Sequence, residues 1–368
     1  MTEVMRTAWG NPSAQHPQGV AARAHIETAR RRLLAALGDA GPERVGDIVW
    51  TSGCTESDAL AVLGAARART GPLSIVLSSI EHPAVGALAA GLGEAHPVVY
   101  VDADRDGAID PDAVARAADG AAVVAIVMVQ NEIGVVQPVA AIARAVRRAN
   151  PACHIHVDAA QALGKIAIDA AALGADSIAI SAHKVHGPKG VGALWLRTGA
   201  AIEPLWIGGG QQRGLRGGTQ DAPGAAGFGL AAERAVAALP EARARWLQIA
   251  AQITGHLAER GVAFRQLVPD QRRSPHILAL GFPGVPATAL RAVLASRGVY
   301  ISTGSACAER GRDGNGKPSP VLVAIGMPPD TGMCRLSFGH DTTADDAAAA
   351  AATIADVALE LSSRRSSG

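Results

Sequence analysis

Apolar positions along the chain change their period several times, and each change predicts an element. From 19 to 38, Ile26, Leu33, Leu34 and Leu37 fall near one face of an amphipathic helix, and "DIVWTS" follows as a short buried strand. Beyond it the runs "SIVLSS", "PVVYVD", "AVVAIVMV", "HIHVDA", "SIAISA" and "GALWL" read as strands, separated mostly by helical stretches at 55–69, 83–94, 111–119 and 139–149. Continuous apolar strands alternating with helices predict an α/β fold, a mainly parallel sheet with helices on both faces. The alternation stops near residue 220. Alanine-rich helical sequence fills 221–260 with a break at Pro240, and "HILAL", "VYIS" and "CRLSF" then read as strands beside helices at 286–297 and 343–363. The expected organisation is an N-terminal segment over 1–18, a large domain over 19–235 and a smaller α+β domain over 236–368. Within the small domain a loop runs from 303 to 320; its part "AERGRDGNGKPSP" has no periodicity and reads as mobile.

Composition narrows the class. At 368 residues and 48% hydrophobic content the chain can bury a large core, and no apolar run reaches the length of a membrane span. The opening "MTEVMRTAWGNPS" lacks the charged-then-apolar layout of a signal peptide, so the expected compartment is the cytoplasm. A net charge of +1, with arginines spread among acids, gives no case for direct nucleic-acid binding. Cys54, Cys153, Cys307 and Cys334 are scattered without CxxC spacing, which predicts reduced thiols, no disulfide framework and no metal site.

Lysine is nearly absent. Of 34 basic residues only Lys165, Lys184, Lys189 and Lys317 are not arginine, and a lysine kept among arginines can do what a guanidinium cannot: lose its proton and act as a nucleophile. Lys184 stands in "SAHKVHGPKG", just past a predicted strand, where ligands of open α/β sheets bind. Other chemistry-bearing residues share that position. "TSGCTES" puts Cys54, Thr55 and Ser57 at a helix start, either as an anion site or as an ordinary cap completed by Glu56. Asp158 and Gln161 end "HIHVDAAQ", His82 follows a strand in "SSIEHPAV", and Asn131 follows another in "VQNEIGVVQP". An imidazole there is either structural or a platform for a planar ring. An aspartate and a lysine at successive strand ends are the pair that pyridoxal 5'-phosphate requires, one holding the ring nitrogen and one forming an imine.

In the order "GNPSAQH", "TSGCTES", "EHPAV", "NEIGVVQP", "HVDAAQALGK", "SAHKVHGPKGVGALW", "RGLRGGT", "STGSAC" and "RLSFG", the chain closely resembles the cysteine desulfurases, pyridoxal-phosphate enzymes of fold type I in the class V aminotransferase superfamily. The motifs run from about residue 10 to 340. The resemblance implies that Lys184 binds the cofactor covalently, Asp158 pairs with its ring nitrogen, Gln161 and Asn131 bond the ring oxygen or the substrate, and His82 stacks on the ring and assists proton transfer. It implies a phosphate held by Cys54, Thr55, Ser181 and His183, and by Thr219 from the partner of a homodimer. Arg335 is the implied clamp for the carboxylate of the substrate L-cysteine, a role suited to its bidentate geometry. "GSAC" matches the long-loop group, with Cys307 as the cysteine that takes up sulfur for an acceptor or scaffold protein. Iron–sulfur cluster assembly and thiolation are both compatible destinations.

One feature departs from the family pattern. Its members usually carry a strand and loop of the type "YLDNNATT" roughly twenty residues before "GNPSS", and no such segment precedes Gly10. Cys54 stands where the family has alanine, and Gln211 and Gln212 are unusual in the glycine-rich loop. The alternatives are another class V enzyme, an aminotransferase or a C–S lyase without a cysteine nucleophile, and a catalytically weakened partner protein.

Overall fold

The computed structural model describes residues 1–71, 73–92, 96–304 and 319–366. They form two compact units, the first made of Met1–Asp102, Ile109–Val129 and Gln137–Ala237, the second of Ala103–Ala108, Gln130–Val136 and Ala238 onward.

The first unit is built on seven strands: β1 (Gly46–Thr51), β2 (Ser74–Ser78), β3 (Val98–Val101), β4 (Ala121–Val127), β5 (His154–Asp158), β6 (Ser177–Ser181) and β7 (Gly192–Arg197). Their order across the sheet is β1-β7-β6-β5-β4-β2-β3. Strands β3, β2, β4, β5 and β6 are parallel, whereas β7 is antiparallel to β6 and to β1. The segment between β6 and β7 is too short for a crossover helix, which forces the reversal. The helices are α1 (Thr2–Thr7), α2 (Pro17–Ala36), α3 (Cys54–Arg67), α4 (Pro83–Gly91), α5 (Pro111–Ala117), α6 (Val139–Ala149), α7 (Ala170–Leu173) and α8 (Ala222–Ala237). Strands β4, β5 and β6 are buried along their whole length, as an apolar run flanked by helices requires. Val62, Ala65 and Ala66 of α3 pack with Ile75, Leu77, Val123 and Ala125, and Leu60 and Ala61 with Val49, Ala179 and Leu194, so α3 lies against the sheet's centre.

The second unit comprises α9 (Leu239–Glu259), β8 (Arg265–Gln266), β9 (Ile277–Pro283), α10 (Ala287–Ser296), α11 (Pro320–Ala324), β10 (Thr331–Ser337) and α12 (Ala344–Ser366). Its antiparallel sheet runs β10-β9-β8. The core gathers Trp246, Ile249 and Ile253 of α9, Leu280 and Phe282 of β9, and Ile354 and Val357 of α12. The expected strand "VYIS" is reduced to one bridge, Ser302 with Arg335. Val299 and Ile301 pack inward and Tyr300 outward, so the alternation is present, but only Ser302 finds a pairing partner. Pro240 breaks the helical run at the start of α9, where its missing N–H costs nothing.

Candidate active site

Helix α3 begins without a side-chain cap: Gly53 is the N-cap, and Glu56 instead accepts the Ser52 N–H at 2.6 Å. The first-turn N–H groups of the helix thus lack a side-chain cap, and Thr55 in that turn is exposed. The approach is close. A Cβ on Gly192 of β7 would lie 2.5 Å from the Gly53 backbone, so only glycine allows β7 to pass under the start of α3. Glu56 also pairs with Arg216 at 2.9 Å, and this holds its carboxyl below the usual range although burial opposes the shift.

One turn into α3, Cys54 and Asp58 share a face, and that face meets β5. Period-2 alternation puts His154, His156 and Asp158 on one side of β5. Cys54 Sγ lies 3.4 Å from Asp158 Oδ1 and 3.9 Å from Asp58 Oδ1, and Asp158 Oδ1 also accepts the Ala160 N–H at 2.9 Å. Cys54 Sγ and one oxygen of each aspartate lie within 4.8 Å of one another. That spacing suits a small cation or a shared-proton network, and the hydrogen bonds already formed favour the network. Burial, then the neighbouring carboxyls of Asp158 and Asp58, push the Cys54 thiol well above its ordinary value, so it stays a donor.

Lys184 sits in a single 3-10 turn, Ala182–Val185, directly after β6 and half-buried. Ser181 Oγ and His183 Nδ1 are 2.8 Å apart beside it. His183 is pushed down by desolvation, then by the Lys184 and Lys189 charges. His82 Nδ1 accepts the Ala84 N–H at 3.1 Å, which assigns its ring proton to Nε2. Desolvation pushes His82 down, Asp158 raises it and Lys184 lowers it, so all three groups act on one another. Gln161 is half-buried and Thr219 is exposed, in the segment after the glycine-rich loop. In the second unit Arg335 Nη1 donates to the Asn131 carbonyl at 2.7 Å. Cys307 lies outside the described residues.

The donor set of the first unit fits pyridoxal 5'-phosphate: an uncapped helix start for phosphate, a carboxylate buried at a strand end, an imidazole, and a lysine on the next strand's end. Sequence reasoning missed Asp58, Glu81 and His156, which lie beneath these groups. Glu81 Oε1 accepts the Val127 N–H at 2.9 Å, while its buried Oε2 has no partner among the described residues. Burial raises its carboxyl to about 8. The four-residue step from Cys54 to Asp58 and the two-residue steps along "HIHVD" carried the signal.

The aminotransferase class-V family model matches residues 1–349. A putative cysteine desulfurase of Bacillus subtilis (strain 168), IscS 1, is 35% identical over 360 residues, 96% of this chain and 92% of that protein. Among solved structures, a NifS-like protein aligns with a TM-score of 0.87 at 31% identity, covering 98% of this chain and 94% of its own. SspA in complex with cysteine aligns at 0.76 and 30% identity, covering 92% and 95%. Among the described residues no helix is long and apolar enough to cross a membrane. The chain therefore belongs to the aminotransferase class-V family and, within it, to the cysteine desulfurases.

Proposed function

We propose that this protein is a pyridoxal-5'-phosphate-dependent cysteine desulfurase that converts L-cysteine to L-alanine and retains the sulfur as a persulfide on Cys307. The observation that carries the reading is the gathering of Lys184, Asp158, His82 and Cys54 into one mutually interacting cluster at the strand ends of the first unit. When bound, the cofactor supplies an electron sink that makes the substrate's α-proton acidic. Lys184 is the amine that binds it and afterwards the base at the substrate's α-carbon. Asp158 holds the ring nitrogen, with Gln161 and Asn131 at the ring oxygen or the substrate. His82 covers the ring and moves a proton at Nε2. The start of α3 at Cys54 and Thr55, with Ser181 and His183, takes the phosphate, and Thr219 reaches the phosphate of a partner subunit. Arg335 takes the substrate carboxylate.

Sulfur transfer conserves atoms and electrons. The substrate C–S bond breaks, an S–S bond forms to Cys307 Sγ, and the carbon that loses sulfur gains the proton. L-cysteine and a thiol thus become L-alanine and a persulfide. Cys307 is favoured as acceptor because burial raises the other three thiols, Cys153 and Cys334 to about 12 and Cys54 well above its ordinary value.

Exposed Trp9, Trp206 and Ile207, the last 95% exposed, support a homodimer, since large apolar groups in the open mark contact surfaces. The cytoplasm is the proposed compartment, and an acceptor or scaffold protein removes the persulfide. The test is purified protein with pyridoxal 5'-phosphate, L-cysteine and a thiol reductant. Alanine and sulfide are expected in equal amounts, with both lost in Cys307→Ser and the visible cofactor band lost in Lys184→Arg. Alanine production that survives Cys307→Ser would overturn the reading in favour of a class V enzyme without a cysteine nucleophile.

A further inference from the structure

Beneath the cluster lies a second layer that the proposed chemistry does not use. Asp58 Oδ1 is 3.1 Å from His156 Nε2, His156 Nδ1 is 2.8 Å from Ser177 Oγ, and Ser177 Oγ is 2.8 Å from His154 Nε2. All four side chains are buried, His156 and Ser177 completely. Burial pushes His154 to about 4 and His156 to about 3, so each ring is neutral and carries one N–H.

A neutral His156 between two oxygens allows two arrangements. In one, Nε2–H donates to an ionised Asp58, Nδ1 accepts the Ser177 O–H, and Ser177 accepts from His154. In the other, Asp58 is the acid and donates to Nε2, Nδ1–H donates to Ser177, and the Ser177 O–H donates to His154 Nε2. The groups around Asp58 decide between them. Asp158 and Glu81 face it as further carboxyls, from β5 and from the segment after β2, and among the described residues no cation is recorded acting on it. Cys54 has a single S–H, and its shorter contact is with Asp158 at 3.4 Å rather than with Asp58 at 3.9 Å. Asp158 therefore collects two donors, the thiol at its shorter distance and the Ala160 N–H, while Asp58 has, besides His156, only the longer 3.9 Å contact from that same thiol, which favours its charge less than burial and the neighbouring carboxyls oppose it. Burial, and after it the Asp158 and Glu81 charges, raise Asp58 in agreement with this division.

We propose that Asp58 is a positioning residue: as the neutral acid it donates to His156 Nε2 and leaves Asp158 as the single carboxylate anion facing the ring nitrogen. The proposal rests on the cofactor reading above. An ionised Asp58 would place a like charge beside Asp158, and the two would compete for one proton.

Two measurements on the full-length protein test it. With 15N-labelled histidine, the His156 signal, assigned by its loss in His156→Gln, is expected to show the Nδ1–H tautomer from pH 6 to 8. In Asp58→Asn the amide keeps a neutral donor to Nε2, so the tautomer, the pyridoxal 5'-phosphate affinity and the pH midpoint of the visible band are expected to match wild type. An Nε2–H tautomer in wild type overturns the proposal. So does an Asp58→Asn affinity changed by about tenfold, the effect of one unit in proton affinity. The wild-type spectrum needs no variant at 58 and decides the question even where Asp58→Asn does not fold. If wild type forms no visible band with the cofactor, the proposed function falls, and the tautomer still reports whether Asp58 holds the proton.

Discussion

Gln212 grips the backbone of Trp50 with both ends of its amide: Oε1 accepts the Trp50 N–H and Nε2 donates to the Trp50 carbonyl at 3.0 Å. Strand β1 is one of the two outer strands of the sheet, and the glutamine amide stands in for a neighbouring strand at that position. Both Gln212 and Arg213 adopt left-handed backbone conformations to reach it. Replacing Gln212 by Ala removes both of these hydrogen bonds and a longer one to the Arg216 carbonyl at 3.5 Å, and at about 1 kcal/mol for each bond to Trp50 the loss of stability is about 2 kcal/mol. The urea midpoint should fall accordingly. Because the same loop leads to Thr219, cofactor affinity should also weaken, whereas a purely local brace would leave it unchanged.

Stability should depend on pH in two opposite limbs. Glu81 is raised from 4.5 to about 8, so between those values the folded state holds a proton that the unfolded state has lost. Folding stability therefore falls as pH rises through that window, with a slope of up to about 1.4 kcal/mol per unit. His154 and His156 are lowered from 6.5 to about 4 and about 3, so below 6.5 the unfolded state binds the extra protons and stability falls as pH falls. In Glu81→Gln the alkaline limb should flatten, and the stability gap to wild type should shrink from pH 5 to pH 8. Parallel curves for the two proteins across that range would contradict the assignment.

Much of the first unit was legible because its strands are continuous apolar runs and its helices repeat at three and four. Strand direction was not, since periodicity carries no polarity; the short link from Ser181 to Gly192 was the available clue to the antiparallel β7. Lys184 could be singled out because lysine is rare, and Asp158 because it ends an apolar strand. Asp58 and Glu81 stayed hidden. In "TESDAL" and "SSIEHP" a carboxylate reads as solvated, and only tertiary packing, of α3 onto β5 for Asp58 and of the segment after β2 onto β4 for Glu81, brings both beside Asp158. Neither Arg335 nor Asn131 had a strong signal beyond the resemblance, although the structure joins them through a carbonyl hydrogen bond within the second unit.

Gly192 should tolerate no side chain. Its Cβ would meet Gly53 Cα at 2.5 Å and the Gly53 carbonyl carbon at 2.6 Å, and backbone cannot rotate away as a side chain can. Gly192→Ala has to push the start of α3 off β7, and overpacking of this kind costs about 1–3 kcal/mol. Since that start is the proposed phosphate site, the variant should lose affinity for pyridoxal 5'-phosphate and for inorganic phosphate as a competitor. Full retention of both would show that α3 does not hold the phosphate.

The thiols should divide sharply by reactivity. Disulfide reagents react with thiolate, and at pH 7 a thiol raised to about 12 is ionised to about one part in 10^5. Cys153 and Cys334 are in that state through burial, and Cys54 is raised by burial and by the two aspartates beside it. Wild type should therefore show one fast-reacting thiol per chain in native conditions and four after denaturation in guanidinium. Cys307→Ser should show no fast phase and three thiols on denaturation. A fast phase that persists in Cys307→Ser and disappears in Cys54→Ala would assign the reactive sulfur to the floor of the cofactor site. It would also remove the reason for preferring Cys307 over Cys54 as the group that accepts sulfur.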